Sequence, residues 1–339
     1  MFLAIALVYI LYLRAPKNNK YPNGFNRKFK ALSVIIVDST CIKGKPFYKL
    51  LDCSNDKLYL SHLHPGLIIS LDFKSQKFIT DTLINLRIPE FHTHYDLHIE
   101  YPKAILCLGN YRTIYVADLS KKKVQDSIQI PYVFIRSAPL ANNYIALRAF
   151  DNNTGNSTPR EIFLKLSMET KLYQKDSLST IPRDPVSADG LLFYDAKTKS
   201  IVYGYFYKSF SLLLDTNLNQ KMNIHALDTT NDNITTGGTY FNSKSAATYT
   251  NNTPRYTLNS QFSVYNGLLF AVSNLKADNE SQFDFEINKT IDVYDLSQGK
   301  YIYSFHLPNP NKDRLKDILG YKDGLIAMYS TYIIRYSFR

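Results

Sequence analysis

Tryptophan is absent from all 339 residues, and cysteine and glycine are sparse, at 3 and 13. Without tryptophan, no repeat signature built on that residue can be present. The three cysteines, Cys41, Cys53 and Cys107, form no CxxC pair and are odd in number, so neither a disulfide framework nor a cysteine zinc site is supported. Cys107 sits inside the apolar run Ala104–Leu108 and reads as a small buried hydrophobe rather than a nucleophile. No GxSxG elbow, P-loop or HExxH occurs, which leaves the common serine-hydrolase, nucleotide-phosphate and zincin chemistries without sequence support. Acidic excess is lacking too: Lys plus Arg number 40 against 29 Asp plus Glu, a formal net charge of +11. That field invites acidic partners. The basic residues, however, scatter through predicted turns, with one run at Lys121–Lys123, which speaks for a solvated face and against nucleic acid. A basic surface facing anionic lipid is the intermediate reading.

Long apolar runs are confined to Phe2–Leu13, followed by Arg14, Lys17 and Lys20. As a helix that run spans roughly 18 Å against a hydrocarbon core of about 30 Å, and it has no positive charge before it. Residues 1–14 are expected to be a signal sequence or membrane anchor, residues 15–30, rich in Asn, Lys and Pro, a linker, and residues 31–339 one folded domain. A cytosolic chain with a buried first strand is the alternative, and charges after the run favour a cytoplasmic body by the positive-inside rule. No cysteine follows at lipobox distance. The expected location is therefore membrane-tethered or exported, in the periplasm or at the cell surface.

What the sequence has in abundance is β-forming residues, with Tyr 27 and Phe 20, and a weak repeat. An apolar strand, an Asp and a short polar turn ending in Lys recur as Leu71-Asp72 to Lys77, Ala117-Asp118 to Lys123, Leu214-Asp215 to Lys221 and Tyr294-Asp295 to Lys300. A copy without the Asp lies at Leu164 to Lys171. The spacing of 118 − 72 = 46 residues between the first two suits one four-stranded propeller blade. Strand and turn signals then place blades along the chain, with Asn266-Gly267 and Asp323-Gly324 as hairpin turns. In the fourth blade, Asp189-Gly190 reads as a hairpin turn, whereas Asp215 implies a later register. The last blade is one strand short, and Leu32–Val37 is available to complete it. The expected fold is all-β, a six-bladed β-propeller closed by pairing an N-terminal strand with the last blade. On repeat length and the Asp-to-Lys turn, the chain resembles six-bladed propellers of the broad TolB-like and NHL-like class. It has no Trp-Asp dipeptide, YWTD or double-glycine kelch signature, and the resemblance carries no catalytic residues with it.

Long polar insertions at 89–96, 151–160, 229–260 and 275–289 fall on the face that carries the crossings between blades, and the tight turns ending in Lys lie on the other. Loops on a rigid scaffold are where binding residues concentrate. His62, His64, His92, His94 and His98 cluster in one sector, and HxH on extended chain puts both rings on one side. Two readings stand: surface or hydrogen-bonded histidines, or ligands for zinc, copper or iron with Asp96 or Glu100 nearby. Arg136 and Arg148, expected on inner strands of one blade, either meet an anionic ligand near the channel or make structural hydrogen bonds. Tyr203, Tyr205 and Tyr207 alternate, as on a sheet face. The function expected is a monomeric, non-enzymatic module that receives a protein, peptide or glycan on the long-loop face, with membrane contact through the N-terminus. The alternative is a metal-dependent hydrolase or lyase built on the histidines.

Overall fold

A computed structural model describes residues 23–31, 33–54, 56–83, 95–151, 160–176, 188–228, 237–241, 247–251, 257–310 and 312–339. The N-terminal apolar run, His92 and His94 lie outside them. Six four-stranded antiparallel sheets make the ring, the first five with their strands in sequence order from the inside outward. The inner strands are Phe47–Ser54, Tyr95–Glu100, Val133–Pro139, Gly190–Asp195, Asn259–Tyr265 and Leu315–Tyr321. The sixth blade continues through Gly324–Tyr329 and Tyr332–Phe338, and its outer strand is Val34–Cys41 from the other end of the chain, antiparallel to Tyr332–Phe338. This strand starts two residues later than Leu32 and runs on to Cys41, because Val37 forms a bulge that lets pairing resume at Asp38–Arg335.

The core is divided into six apolar clusters, each wedged between two neighbouring blades, the last joining blade 6 to blade 1 through Ile326, Met328 and Ile333 against Leu58, Leu60 and Leu71. Second strands carry this burden, since both their faces are covered: Ser200–Tyr205 and Gly324–Tyr329 are buried at every residue. Outer strands such as Lys77–Thr82 alternate toward solvent.

The repeat has a direct physical reading. Asp72 accepts the backbone N–H groups of Lys74 and Ser75, Asp118 those of Ser120 and Lys121, Asp215 those of Asn217 and Asn219, and Asp295 those of Ser297 and Gln298. Each carboxylate thus caps the tight turn between third and fourth strands, and all four carboxyls are held below the usual range. Asp72 is held chiefly by the Ser75 amide, Asp118 and Asp295 by the Ser120 and Ser297 hydroxyls and then the amides, and Asp215, against its burial, by the Asn219 side chain and the amides. Ser167 takes this place in the degenerate copy, accepting from Thr170 N at 3.2 Å. The turns close through a left-handed residue, Gln76, Lys122, Lys171, Leu218 or Gly299. Glycine suits the last, at φ +66°, where a Cβ would stand 2.3 Å from Met222 Sδ and the methionine would have to move. The fourth blade follows the Asp215 register: Gly190 opens its first strand, and the hairpin lies at Asp195, whose carboxylate accepts from Thr198 N.

Residues 23–30, within the stretch read as a linker, lie along blade 5. Lys30 N and Ser304 N exchange bonds with Ser304 O and Lys28 O, and Phe25 is buried. Arg27 is buried beneath this segment with all five guanidinium N–H groups engaged. They reach Asp292 Oδ1 and Oδ2 at 2.8 and 3.1 Å, Glu280 Oε2 at 2.8 Å, Leu275 O at 2.9 Å and Ser273 Oγ at 2.7 Å. Glu280 also accepts from Thr290 and meets His306 Nε2 at 2.8 Å.

Candidate functional site

In a propeller the inner strands approach one another without a shared backbone ladder, so their N–H and C=O groups need other partners. Here side chains supply them near the long-loop face, where each inner strand begins. Asp96 of blade 2 accepts Ser137 N of blade 3 at 2.7 Å. Arg136 of blade 3 donates to Gly190 O of blade 4 at 2.6 Å and to Asp189 Oδ1 at 3.0 Å. Asp317 of blade 6 accepts Leu50 N of blade 1 at 2.8 Å, and farther down the channel, toward the other end of the inner strands, Ser263 of blade 5 accepts Gly320 N of blade 6 at 2.8 Å. Lys49 of blade 1 lies 3.7 Å from Asp96. The links near the long-loop face form a polar collar around a cavity of about 240 Å³ that Lys49, Asp96, Arg136, Gln261, Lys316 and Asp317 help to line.

The collar is not electrostatically symmetric. Its carboxylates are held by backbone amides: Asp96 by Ser137 N and Oγ, Asp317 by Leu50 N and Ile318 N, Asp189 by Gly190 N and Arg136. The lysines are held less closely: among the described residues Lys49 Nζ makes no hydrogen bond and pairs with Asp96 at 3.7 Å, and exposed Lys316 makes no ion pair. Burial works to raise the Asp96 carboxyl, but Lys49, His98, Arg136 and the Ser137 amide hold it below the usual range. Asp317 goes the other way, pushed up to about 6 by burial against the pull of Lys49 and two amides.

His98 is the sequence-singled histidine that reaches the channel wall. Its Nε2 meets Ser137 Oγ at 2.7 Å, and burial, opposed by Asp96, lowers its pKa to about 4. Ser137 stands between His98 and Asp96, so the chain of contacts lacks the carboxylate-to-imidazole bond of a hydrolase triad, and Ser137 is itself buried. His62 and His64 lie on the second-to-third turn of blade 1, where His62 Nδ1 accepts from His64 N and His64 Nδ1 from Gly66 N. Among the described residues no group of three or more His, Cys, Asp and Glu is placed to hold a metal ion.

The two arginines part company. Arg136 is on the inner strand at the channel, whereas Arg148 is on the second strand, fully buried between blades 3 and 4. Arg148 pairs with Glu161 and stacks on Phe163 and Tyr203, with ring centroids 4.6 and 5.2 Å from its guanidinium carbon. The alternating strand therefore does not place both cations at one site. Tyr203 and Tyr205 pack in the same interblade cluster, and Tyr203 donates to Ala188 O. Lys49, Lys316, Asp189 and Asp317 were missed by sequence reasoning. The available signal was a charged residue repeated near the start of inner strands, as in Lys49, Asp96, Arg136 and Asp317.

The fold is that of a six-bladed β-propeller. No family model and no curated protein matches the chain. Among solved structures it is similar to a member of the DUF4221 family from Bacteroides vulgatus, at 14% identity and TM-score 0.56, covering 91% of this chain and 98% of that one. It is also similar to the Pan2 WD40 domain of Neurospora crassa (10% identity, TM-score 0.52, 91% and 97% covered) and to a streptogramin B lyase (8% identity, TM-score 0.51, 89% and 98% covered). These likenesses show the fold alone.

Proposed function

We propose that this protein is a non-catalytic binding module that engages an acidic group of a peptide, protein or glycan ligand at the channel mouth of its long-loop face. The observation that carries this reading is the asymmetry of the collar: its carboxylates are hydrogen-bonded to backbone amides, whereas Lys49 reaches Asp96 only at 3.7 Å and exposed Lys316 makes no ion pair among the described residues. Fold does not select among functions, since one structural neighbour is a lyase and another a WD40 domain. Screening immobilised protein against peptides and oligosaccharides in acidic and neutral pairs tests it. Binding is expected to require the acidic member and to weaken at least tenfold in Lys49→Ala combined with Lys316→Ala. Equal binding of neutral partners, unaffected by the double variant, would remove the proposal.

Attachment to a membrane through residues 1–14 belongs to the same reading. In support, the wall following the docked segment exposes Ile35, Ile36 and Val37, with Phe29 exposed between Lys28 and Lys30. The full chain is expected to float with anionic vesicles and a chain lacking residues 1–14 to lose most of that association. Retention by the shortened chain at physiological salt would contradict it.

A further inference from the structure

Two further cavities continue from the channel mouth. A waist of about 210 Å³ shares Lys49, Leu191 and Asp317 with the mouth. An outer chamber of about 520 Å³ on the tight-turn side shares Leu51, His98, Pro139 and Tyr194 with the waist. The three spaces thus meet end to end along the inner strands, whose six to eight residues span roughly 20–27 Å. Their chemistry changes on the way. The mouth is lined by five charged or amide side chains besides Lys49, which it shares with the waist: Asp96, Arg136, Gln261, Lys316 and Asp317. Below Lys49 and Asp317 the waist is walled by half-buried apolar side chains, among them Leu51, Leu191, Phe193, Val264 and Leu319, and charge returns in the outer chamber with Glu100 and Lys103.

Half-buried apolar side chains around an axial space are the ones whose remaining surface a ligand can cover, and a lumen with a few polar groups at one end fixes the direction in which it enters. We infer that the channel takes a small amphipathic anion, with its carboxylate or sulfate head at Lys49 and Lys316 and its apolar body in the waist. This rests on the proposed function and adds to it a ligand class and an orientation. His98, neutral at physiological pH, and Tyr194 border the far end, and Glu100 and Lys103 line the chamber beyond, so that chamber accepts a polar tail as well as an apolar one.

Calorimetric titration of the full chain with acetate, butanoate, hexanoate and octanoate, and with 1-octanol, tests the inference. Affinity is expected to rise about threefold to fourfold per methylene, the value of burying each CH2, and octanol is expected to bind at least tenfold more weakly than octanoate. Lys316→Ala should weaken every acid by a similar factor. Val264→Trp, which fills the waist at a residue that does not line the mouth, should abolish the dependence on length while leaving acetate unchanged. Should Val264→Trp not fold, the length series in the wild-type chain decides alone. Affinity that is flat from acetate to octanoate would overturn the amphipathic ligand and leave the acidic-group reading standing. Octanol equal to octanoate would overturn the placement of the head at the lysines. Failure of all acids, together with failure of the acidic peptides and oligosaccharides, would remove both.

Discussion

Replacing Arg27 with Met tests whether the first described residues are part of the folded body or merely lie on it. The side chain is fully buried, and its five N–H groups reach two carboxylates, one carbonyl and one hydroxyl. Met preserves much of the apolar stem but leaves Asp292 and Glu280 facing each other without their cation. Breaking a buried pair from one side costs about 3–5 kcal/mol, against about 0–1 kcal/mol for a surface pair. The loss has a local component, because Arg27 anchors the backbone that exchanges bonds with Ser304. Denaturant unfolding of the full chain should therefore show a loss of about 3 kcal/mol or more. Hydrogen exchange should show the Lys30 and Ser304 amides losing protection ahead of the other blades. Adding Glu280→Gln and Asp292→Asn to Arg27→Met should recover part of the loss, because the uncompensated charges are then gone. A loss below about 1 kcal/mol, with Lys30 still protected, would refute the reasoning and make the contact a surface one.

The Asp317 carboxyl has a folded pKa of about 6, above its unfolded value, so the folded state holds an extra proton between about 4 and 6. Its contribution is most favourable below that window and is lost as pH rises through 6, by about 2 kcal/mol between pH 4.5 and 8 when wild type is compared with Asp317→Asn. A difference that does not change with pH would contradict the burial argument. His98 acts in the opposite sense: its folded pKa near 4 contributes stability above 6.5 that disappears as pH falls through 4, so His98→Gln should unfold less readily in acid than wild type does. Asp195 caps its own turn at Thr198 and also accepts Gly267 N of the next blade at 3.0 Å. Asp195→Ala should cost about 1–3 kcal/mol by leaving a buried N–H unpaired, and a neutral result in thermal unfolding would show that water replaces it.

The ring was legible in the sequence because its cause is local. An Asp that caps a tight turn must sit at the end of a strand, so Asp72, Asp118, Asp215 and Asp295 mark one position in four blades, and the apolar second strands read as continuous runs. The sixth blade was legible as an arithmetic deficit of one strand. The collar was not, because its members are brought together across blades: Asp96 and Ser137 are 41 residues apart, and Leu50 and Asp317 are 267 apart. Period-two alternation also could not separate Arg136 from Arg148. It gives the face of a sheet but not the distance of a strand from the axis, and Arg148 is one strand too far out. The docking of residues 23–30 escaped for a related reason. A polar, Asn-rich and Lys-rich segment has the composition of a tether, and its fixed place depends on the pairing of Arg27 with residues more than 250 positions away.

Charge reversal on the two opposite faces tests the central claim most directly. Lys316→Glu alters the channel mouth and Lys123→Glu the tight-turn face, and both lysines are exposed. Calorimetry with the tightest acidic ligand from the paired screen should show at least a tenfold loss of affinity for Lys316→Glu and less than a twofold change for Lys123→Glu. Unchanged binding in Lys316→Glu with a loss in Lys123→Glu would contradict the account and move the site to the other face.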